Sequence, residues 1–309
     1  MELEIKIKEA ERTLKLAAEM SEYYYHKPLI ICYSGGKDSD VMLDIAKKCL
    51  KPSQFEVLNS HTTVDAPETV YHIRAVFKAL EAEGIKTEIR MPRYKGEPIS
   101  MWKLIEIKSM PPTRLVRYCC QVLKEASTPN RVIAVGVRED ESTGRRGRND
   151  FSTRGKTKND AEFRSTAHTF AMFQLDKYGG DEAYQCEIIK NCKKNKDLIS
   201  NPIYFTESDI WEYVKKFNIP MNPLYSKGYK RVGCVGCPLG GRKAQIKELN
   251  DYPKYKLNYI KAFERMQKRN VEKGINNKYA MSNGQEWFEW WIGNNPKQVK
   301  LEDIIEREE

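Results

Sequence analysis

Leu3, Ile7, Ala10, Leu14 and Ala17 recur three or four residues apart, with charged residues between them. That period puts them on one side of a helix, so the first twenty residues read as an amphipathic helix. Pro28 then precedes LIICYS, a short apolar run of the kind a buried strand makes. The run ends in SGGKDS, and VMLDIAKKCL resumes a helical period. FEVLNS reads as a second strand. The next helix opens at DAPET, with Asp65 as N-cap, Pro67 in the first turn and Glu68 three residues after the cap. KTEIR and RVIAVGVR read as further strands, the latter after the helical YCCQVLKEAS. Strands alternating with helices predict an α/β fold with a doubly wound, mostly parallel sheet covered on both faces.

Residues 139–168 interrupt this pattern with a polar segment almost free of hydrophobes. From Gly144 to Lys158 it carries six basic residues and one acidic residue. A segment of that length without periodicity reads as a functional loop or a disordered one. Beyond about Pro202 the chain turns helical: TESDIWEYVKKF, a long run from Ala244 to Val271, then GQEWFEWWIG. The pattern divides into an α/β region over 1–205 and a mostly helical region over 206–309. No internal repeat or low-complexity tract is visible.

Composition narrows the class. In 309 residues, 40% are apolar and 31% charged, as in a soluble globular protein. No apolar run approaches the roughly 18 residues of a membrane span. The N-terminus alternates charge with hydrophobe, unlike a signal peptide, so a cytoplasmic location without membrane association is expected. Disulfides are rare in that compartment, so eight cysteines point to metal binding or thiol chemistry. The net charge is +10. Lys227 to Lys278 holds 14 basic and 4 acidic residues and carries the whole excess. It brackets Cys234 and Cys237, which places its charge beside that pair. Concentrated basic charge is the footprint of a protein that meets polyanions, although a solvated lysine-rich helix has the same composition.

SGGKDS, Ser34 to Ser39, lies between a strand and a helix. Gly35 and Gly36 let the backbone turn tightly and aim several N–H groups at one point. The helix N-terminus adds a field that favours an anion. Lys37 supplies a point charge, and Ser34 and Ser39 supply hydroxyls. The set reads as a pyrophosphate cradle distinct from the Walker sequence. Further along, Gly136 to Arg146 follows a strand, and Arg138, Arg145 and Arg146 stand where a loop can fold back over phosphate.

Four cysteines form two pairs, Cys119-Cys120 and Cys234-x-x-Cys237, the second within GCVGCPLGG. A [4Fe–4S] cluster, a zinc site and unligated thiols are the three readings. Adjacent cysteines favour the cluster, because two neighbouring thiolates reach different irons more readily than one ion. Cys32 and Cys49 look like core residues, and Cys186 and Cys192 are ambiguous. No nucleophile elbow is present, and His26, His61, His72 and His168 form no close metal pair.

SGGKDS, APET, GVREDESTGRR and NPIYFTESDIWEYVKKFNIPMNPLYSKGYKRVGCVGCP occur here in the order seen in the phosphoadenosine phosphosulfate (PAPS) reductase family. The chain resembles that family from about residue 25 to 240. The resemblance implies an adenine nucleotide α-hydrolase-like fold. It implies that Ser34, Gly35, Gly36, Lys37, Asp38 and Ser39 hold nucleotide phosphates. It also implies a [4Fe–4S] cluster on Cys119, Cys120, Cys234 and Cys237. Reductases of this family carry a C-terminal Glu-Cys-Gly-Leu-His segment with the attacking thiol; here no cysteine follows Cys237. The SGGKDS form is that of the ATP pyrophosphatases of the superfamily, whose branch includes DNA phosphorothioation enzymes and iron–sulfur RNA thiolation relatives.

These readings lead to an expected ATP-dependent adenylating enzyme that releases pyrophosphate and transfers sulfur with the help of a [4Fe–4S] cluster. Lys37 and Ser39, with Arg138 and Arg145, are the expected catalytic residues, and Mg²⁺ shares the phosphate charge. The expected partners are an adenine nucleotide, a sulfur donor such as a cysteine desulfurase, and DNA or tRNA as acceptor. A true PAPS or adenylylsulfate reductase is the alternative. A non-catalytic nucleic-acid-binding module is the rival from another class.

Overall fold

The computed structural model describes residues 2–125, 128, 131–141, 145, 149–153, 162–178, 198–200, 204–275 and 281–294. Cys186, Cys192 and Arg146 lie outside the described residues. In chain order the helices are α1 (Leu3–Tyr25), α2 (Lys37–Cys49), α3 (Pro67–Ala82), α4 (Met101–Lys108), α5 (Thr166–Tyr178), α6 (Glu207–Phe217), α7 (Arg242–Asp251), α8 (Pro253–Glu272) and α9 (Gly284–Trp291). The strands are β1 (Leu29–Cys32), β2 (Phe55–Ser60), β3 (Thr87–Arg90), β4 (Arg93–Tyr94), β5 (Glu97–Pro98), β6 (Val132–Val135), β7 (Phe151–Thr153), β8 (Glu162–Arg164) and β9 (Leu198–Ser200).

The chain falls into two compact units that interleave along the sequence. The first comprises Met1–Asn59, Pro67–Arg90 and Ser127–Val232; the second comprises Ser60–Ala66, Met91–Ala126 and Gly233–Glu309. The first unit is built on one sheet with strand order β3-β2-β1-β6-β9-β7-β8. β1 pairs in parallel with β2 and with β6, and β6 pairs in parallel with β9. The fold is therefore the α/β class anticipated, with a mostly parallel centre. Leu29, Ile31, Val57, Val132 and Ala134 fill the sheet centre, and α1 covers it with buried Leu3, Ile7, Ala10, Leu14 and Ala17.

Part of the polar 139–168 segment is not structureless. β7 runs antiparallel to β9, and β8 pairs antiparallel with β7. Phe151 anchors the pair, being 1% exposed. These strands are three residues each, too short for periodicity to reveal them.

The second unit packs α4, α8 and α9 around Tyr259, Phe263, Met266, Trp287, Phe288 and Trp291. The expected single helix from Ala244 to Val271 is two helices, broken at Tyr252. Pro253 lacks an N–H and disfavours α conformation in the residue before it. Tyr252 accordingly sits at φ −122° and ψ 69°. Among the described residues, no helix is long and apolar enough to cross a membrane.

Candidate functional site

The loop Ser34–Gly36 leaves β1 where the strand order reverses, with β2 on one side and β6 on the other. In open α/β sheets ligands bind at that switch point, outside the carboxyl ends of the strands. Gly35 has φ +70°, and a Cβ there would stand 2.9 Å from Cγ1 of Ile73. Conformation and space both require glycine. Gly36 precedes the first turn of α2, and the field at a helix N-terminus favours an anion. The Ser39 hydroxyl donates to the Gly36 carbonyl at 2.8 Å and accepts the Gly36 N–H at 3.2 Å. The Ser34 hydroxyl lies 3.2 Å from that of Ser39.

Lys37 is 5% exposed. Its backbone N–H donates to the Tyr225 hydroxyl at 2.8 Å, and its ammonium lies 5.8 Å from the centre of the Tyr225 ring. That ammonium is also 3.8 Å from carboxylate oxygens of Asp38 and Glu207. Burial pushes the Tyr225 hydroxyl pKa up, which keeps it protonated. The Asn222 amide donates to the Gly35 carbonyl at 2.9 Å and to the Thr69 hydroxyl at 3.2 Å. Beneath the loop, the Tyr33 hydroxyl donates to Asp40 at 2.5 Å, with His72 Nε2 3.0 Å from the same hydroxyl. Burial and then the Asp40 charge hold Tyr33 protonated as a donor. Arg138, 4% exposed, donates through Nε to Asp38 and through Nη1 to Asp140, each at 2.5 Å. Arg145 pairs with Glu141.

The four paired cysteines all lie in the second unit and are free, half-buried thiols. Cys119 precedes a π-helical turn, Cys120–Lys124. Cys234 forms an isolated antiparallel bridge with Asp65, and its thiol lies 3.5 Å from the Thr62 hydroxyl. Gly236, between Cys234 and Cys237, has φ +73°, and a Cβ there would stand 3.0 Å from Leu249. Hydrogen bonding to Cys120 drives the Cys119 thiol pKa upward, followed by burial and the charges of Cys120, Cys234 and Cys237. The same bond lowers that of Cys120, with help from Arg117, whose guanidinium lies 3.6 Å from its sulfur. The charge of Cys234, then those of Asp65, Cys237 and Cys120, raises the Lys124 pKa. Burial opposes ionisation of Asp65, yet His61, Lys124 and the Thr62 N–H outweigh it and lower its pKa. Asp65 was expected to cap α3; its carboxylate instead accepts the Thr62 N–H at 2.8 Å.

Four cysteine thiols in one unit are the donor type that an iron–sulfur cluster or a zinc ion takes, and the charges of Cys120, Cys234 and Cys237 all bear on Cys119. Among the described residues, no three His, Cys, Asp or Glu side chains group closely enough to hold a metal ion. For Mg²⁺, Asp38 in the loop and Glu207, each 3.8 Å from the Lys37 ammonium, are the carboxylates beside that side chain, the donor type such an ion takes along with phosphates and water.

The phosphoadenosine phosphosulfate reductase domain profile matches residues 28–239. The chain belongs to the PAPS reductase family. An uncharacterized protein of Methanocaldococcus jannaschii is 25% identical over 238 residues, a match covering 74% of this chain and 40% of that protein. The chain thus spans well under half the length of that relative. An adenosine 5'-phosphosulfate reductase of Anoxybacillus flavithermus is 23% identical over 226 residues, covering 69% of this chain and 74% of that one. Among solved structures, the U34-tRNA thiolase NcsA from Methanococcus maripaludis with its [4Fe-4S] cluster aligns with a TM-score of 0.43 and 14% identity, over 90% of this chain and 83% of that one.

Within the PAPS reductase frame, several residues around the loop escaped the sequence reading. Asn222 and Tyr225 fall in NPLYS and Asp140 in GVREDES, both segments that carry the resemblance. Their signal was present, but the contacts of Asn222 with Gly35 and of Tyr225 with Lys37, and the link from Asp140 through Arg138 to Asp38, exist only in the folded unit. Glu207 opens a helix and by itself looks like an ordinary first-turn acid.

Proposed function

We propose that this chain binds ATP in the Ser34–Ser39 loop, adenylates an acceptor with release of pyrophosphate, and serves sulfur transfer to a nucleic acid. The observation that carries this reading is the buried Lys37 at the start of α2. It is wrapped by Gly35, Gly36, Ser34 and Ser39 at the switch point of the sheet. Gly35 offers a backbone donor, Ser39 sets the turn by holding the Gly36 N–H and carbonyl, and the Ser34 hydroxyl orients the phosphates. An acceptor oxygen attacks the α-phosphorus of ATP, and the bond to the pyrophosphate oxygen breaks. Lys37 stabilises the charge developing on that leaving group, a role in which a bound Mg²⁺ would supply further positive charge. Arg145 serves as a further phosphate contact. The adenylated position is then open to displacement by a sulfur nucleophile, with AMP leaving. Cys119, Cys120, Cys234 and Cys237 would hold a [4Fe–4S] cluster, which supplies a place to bind or orient the sulfur donor or braces the site.

The test is pyrophosphate release from ATP by anaerobically purified protein, with tRNA, duplex DNA or neither. Release stimulated by one nucleic acid supports the proposal. Reduction of adenylylsulfate or PAPS with added thioredoxin, without pyrophosphate release, would replace it with the reductase reading. Nucleic-acid binding without turnover of any nucleotide would leave a binding module.

A further inference from the structure

Two cations and three carboxylates close a ring beside the phosphate loop. Asp38 lies between Lys37 and Arg138, and Arg138 reaches on to Asp140. The second oxygen of Asp140 accepts the Glu207 N–H at 3.0 Å, and the Glu207 carboxylate returns to Lys37. The ring is not uniform. Both contacts of Arg138 are short, charge-assisted hydrogen bonds of 2.5 Å. Both contacts of Lys37 are 3.8 Å, beyond hydrogen-bond reach.

That difference separates the two cations by role. A phosphate approaching Lys37 displaces only loose ion pairs. A phosphate that took the Nε–H and the bonded Nη1–H of Arg138 would have to break two strong bonds. It must also strand Asp38, whose side chain is 18% exposed, without its tightest counter-ion. The backbone carries the same message. A Cβ on Gly136 would stand 3.1 Å from the Asp38 carbonyl oxygen, so the chain leaving β6 lies directly against the first turn of α2. Arg138 is 4% exposed, held against α2 through Asp38 and linked through Asp140 to the Glu207 N–H at the start of α6.

We infer that Arg138 is a positioning residue, not a phosphate ligand: it locks Asp38 and ties the first turn of α2, through Asp140, to the first turn of α6, thereby setting where Lys37 stands. Its consequence for ATP rests on the nucleotide reading above; its structural part does not.

The experiment is a double-mutant cycle of Arg138→Ala and Asp140→Asn. It is read by Tm without nucleotide and by ATP affinity in calorimetry. Each single variant should lower Tm by about 5 °C or more and weaken ATP at least fivefold. The double variant should be no worse than the worse single one, because both remove one linkage. Asp140→Glu, which keeps the charge, should recover most of the affinity. If Arg138 instead grips phosphate, Asp140→Asn frees it. ATP then binds as tightly as to wild type or tighter, and Arg138→Ala weakens binding equally in both backgrounds; that outcome overturns the inference. Should Arg138→Ala fail to fold, the ATP affinity of Asp140→Asn decides alone. Should wild-type protein bind no ATP, the nucleotide reading fails, and additive Tm losses in the cycle would still overturn the strut.

Discussion

Lys37 is the residue on which the proposed chemistry turns. Removing a preorganised donor of this kind costs roughly 2–4 kcal/mol of transition-state stabilisation. Lys37→Ala should therefore abolish most pyrophosphate release and shrink the Tm rise that ATP produces in wild type. Unchanged release would remove the loop from the chemistry. Glu207, with its side chain 58% exposed, competes with phosphate for the same ammonium. Glu207→Gln should tighten ATP severalfold in a titration, and weaker binding would show the carboxylate to be a support instead. Glu56 on β2 sets a pH dependence. Burial raises its pKa, but hydrogen bonds from Lys86 at 3.0 Å and Arg131 at 2.7 Å outweigh burial and lower it. A carboxylate lowered on folding contributes stability above its ordinary range and loses it as pH falls through the folded value. The Tm gap between wild type and Glu56→Gln should be widest at neutral pH and narrow in acid; a gap constant with pH would refute this. At this scale SGGKDS was legible because its glycines, lysine and serines are contiguous. Tyr225, Asn222 and Glu207 were not, because only folding brings them to the loop.

Elements followed the hydrophobic pattern of the sequence both where burial is one-sided, as in α1 and α6, and where a short apolar run is buried on both faces, as in β2. The α1 pattern, FEVLNS and TESDIWEYVKKF correspond to α1, β2 and α6, the last capped by Thr206 with Asp209. Periodicity failed where backbone chemistry decided. Pro253 split the long basic helix, and edge pairing made strands of Phe151–Thr153 and Glu162–Arg164 without an apolar run. The second unit depends on one close helix contact. A Cβ on Gly284 would stand 2.4 Å from the Ile260 carbonyl oxygen and 2.7 Å from the Glu264 nitrogen. Both are backbone atoms that cannot step aside singly. Gly284→Ala should push α9 from α8 and cost about 1–3 kcal/mol or more, the usual penalty of overpacking. A denaturation midpoint equal to wild type would show that α9 shifts freely. In sequence this glycine looks like a routine helix start.

For the molecule as a whole, the proposed cluster and the charge distribution are the testable features. Protein purified anaerobically after iron-replete expression should show the broad visible absorbance of thiolate-ligated iron. Cys119→Ser and Cys234→Ser should each lose it; colourless wild type with one bound zinc would exclude the cluster. The basic excess was expected beside Cys234 and Cys237, but much of it faces elsewhere. Tyr259 on α8 turns inward and donates to the Val235 carbonyl at 3.0 Å, whereas Lys254, Lys261, Arg265 and Lys268 occupy the opposite, exposed side of that helix. Arg265 and Lys268 make only loose surface pairs, at 3.6 Å to Glu106 and 3.7 Å to Glu264. If this side meets nucleic acid, affinity should fall steeply with salt, and joint Lys261→Glu, Arg265→Glu and Lys268→Glu should abolish binding while ATP binding persists. Affinity for tRNA and duplex DNA no tighter than ~100 μM at low salt, the weak end of non-specific binding, would leave a solvated helix face. The amino-acid order alone determined the α/β class, the glycine turn between β1 and α2 and the spacing of cysteines within each motif, because these rest on neighbours in the chain and on short periods. Only the tertiary structure decided which counter-ions surround Lys37, that Arg138 is committed to Asp38 and Asp140, that Cys119-Cys120 and Cys234-x-x-Cys237 share a unit, and which way the basic helix faces. Those outcomes depend on contacts between residues far apart in sequence, and on which side of an element the core takes, and no local pattern carries that information.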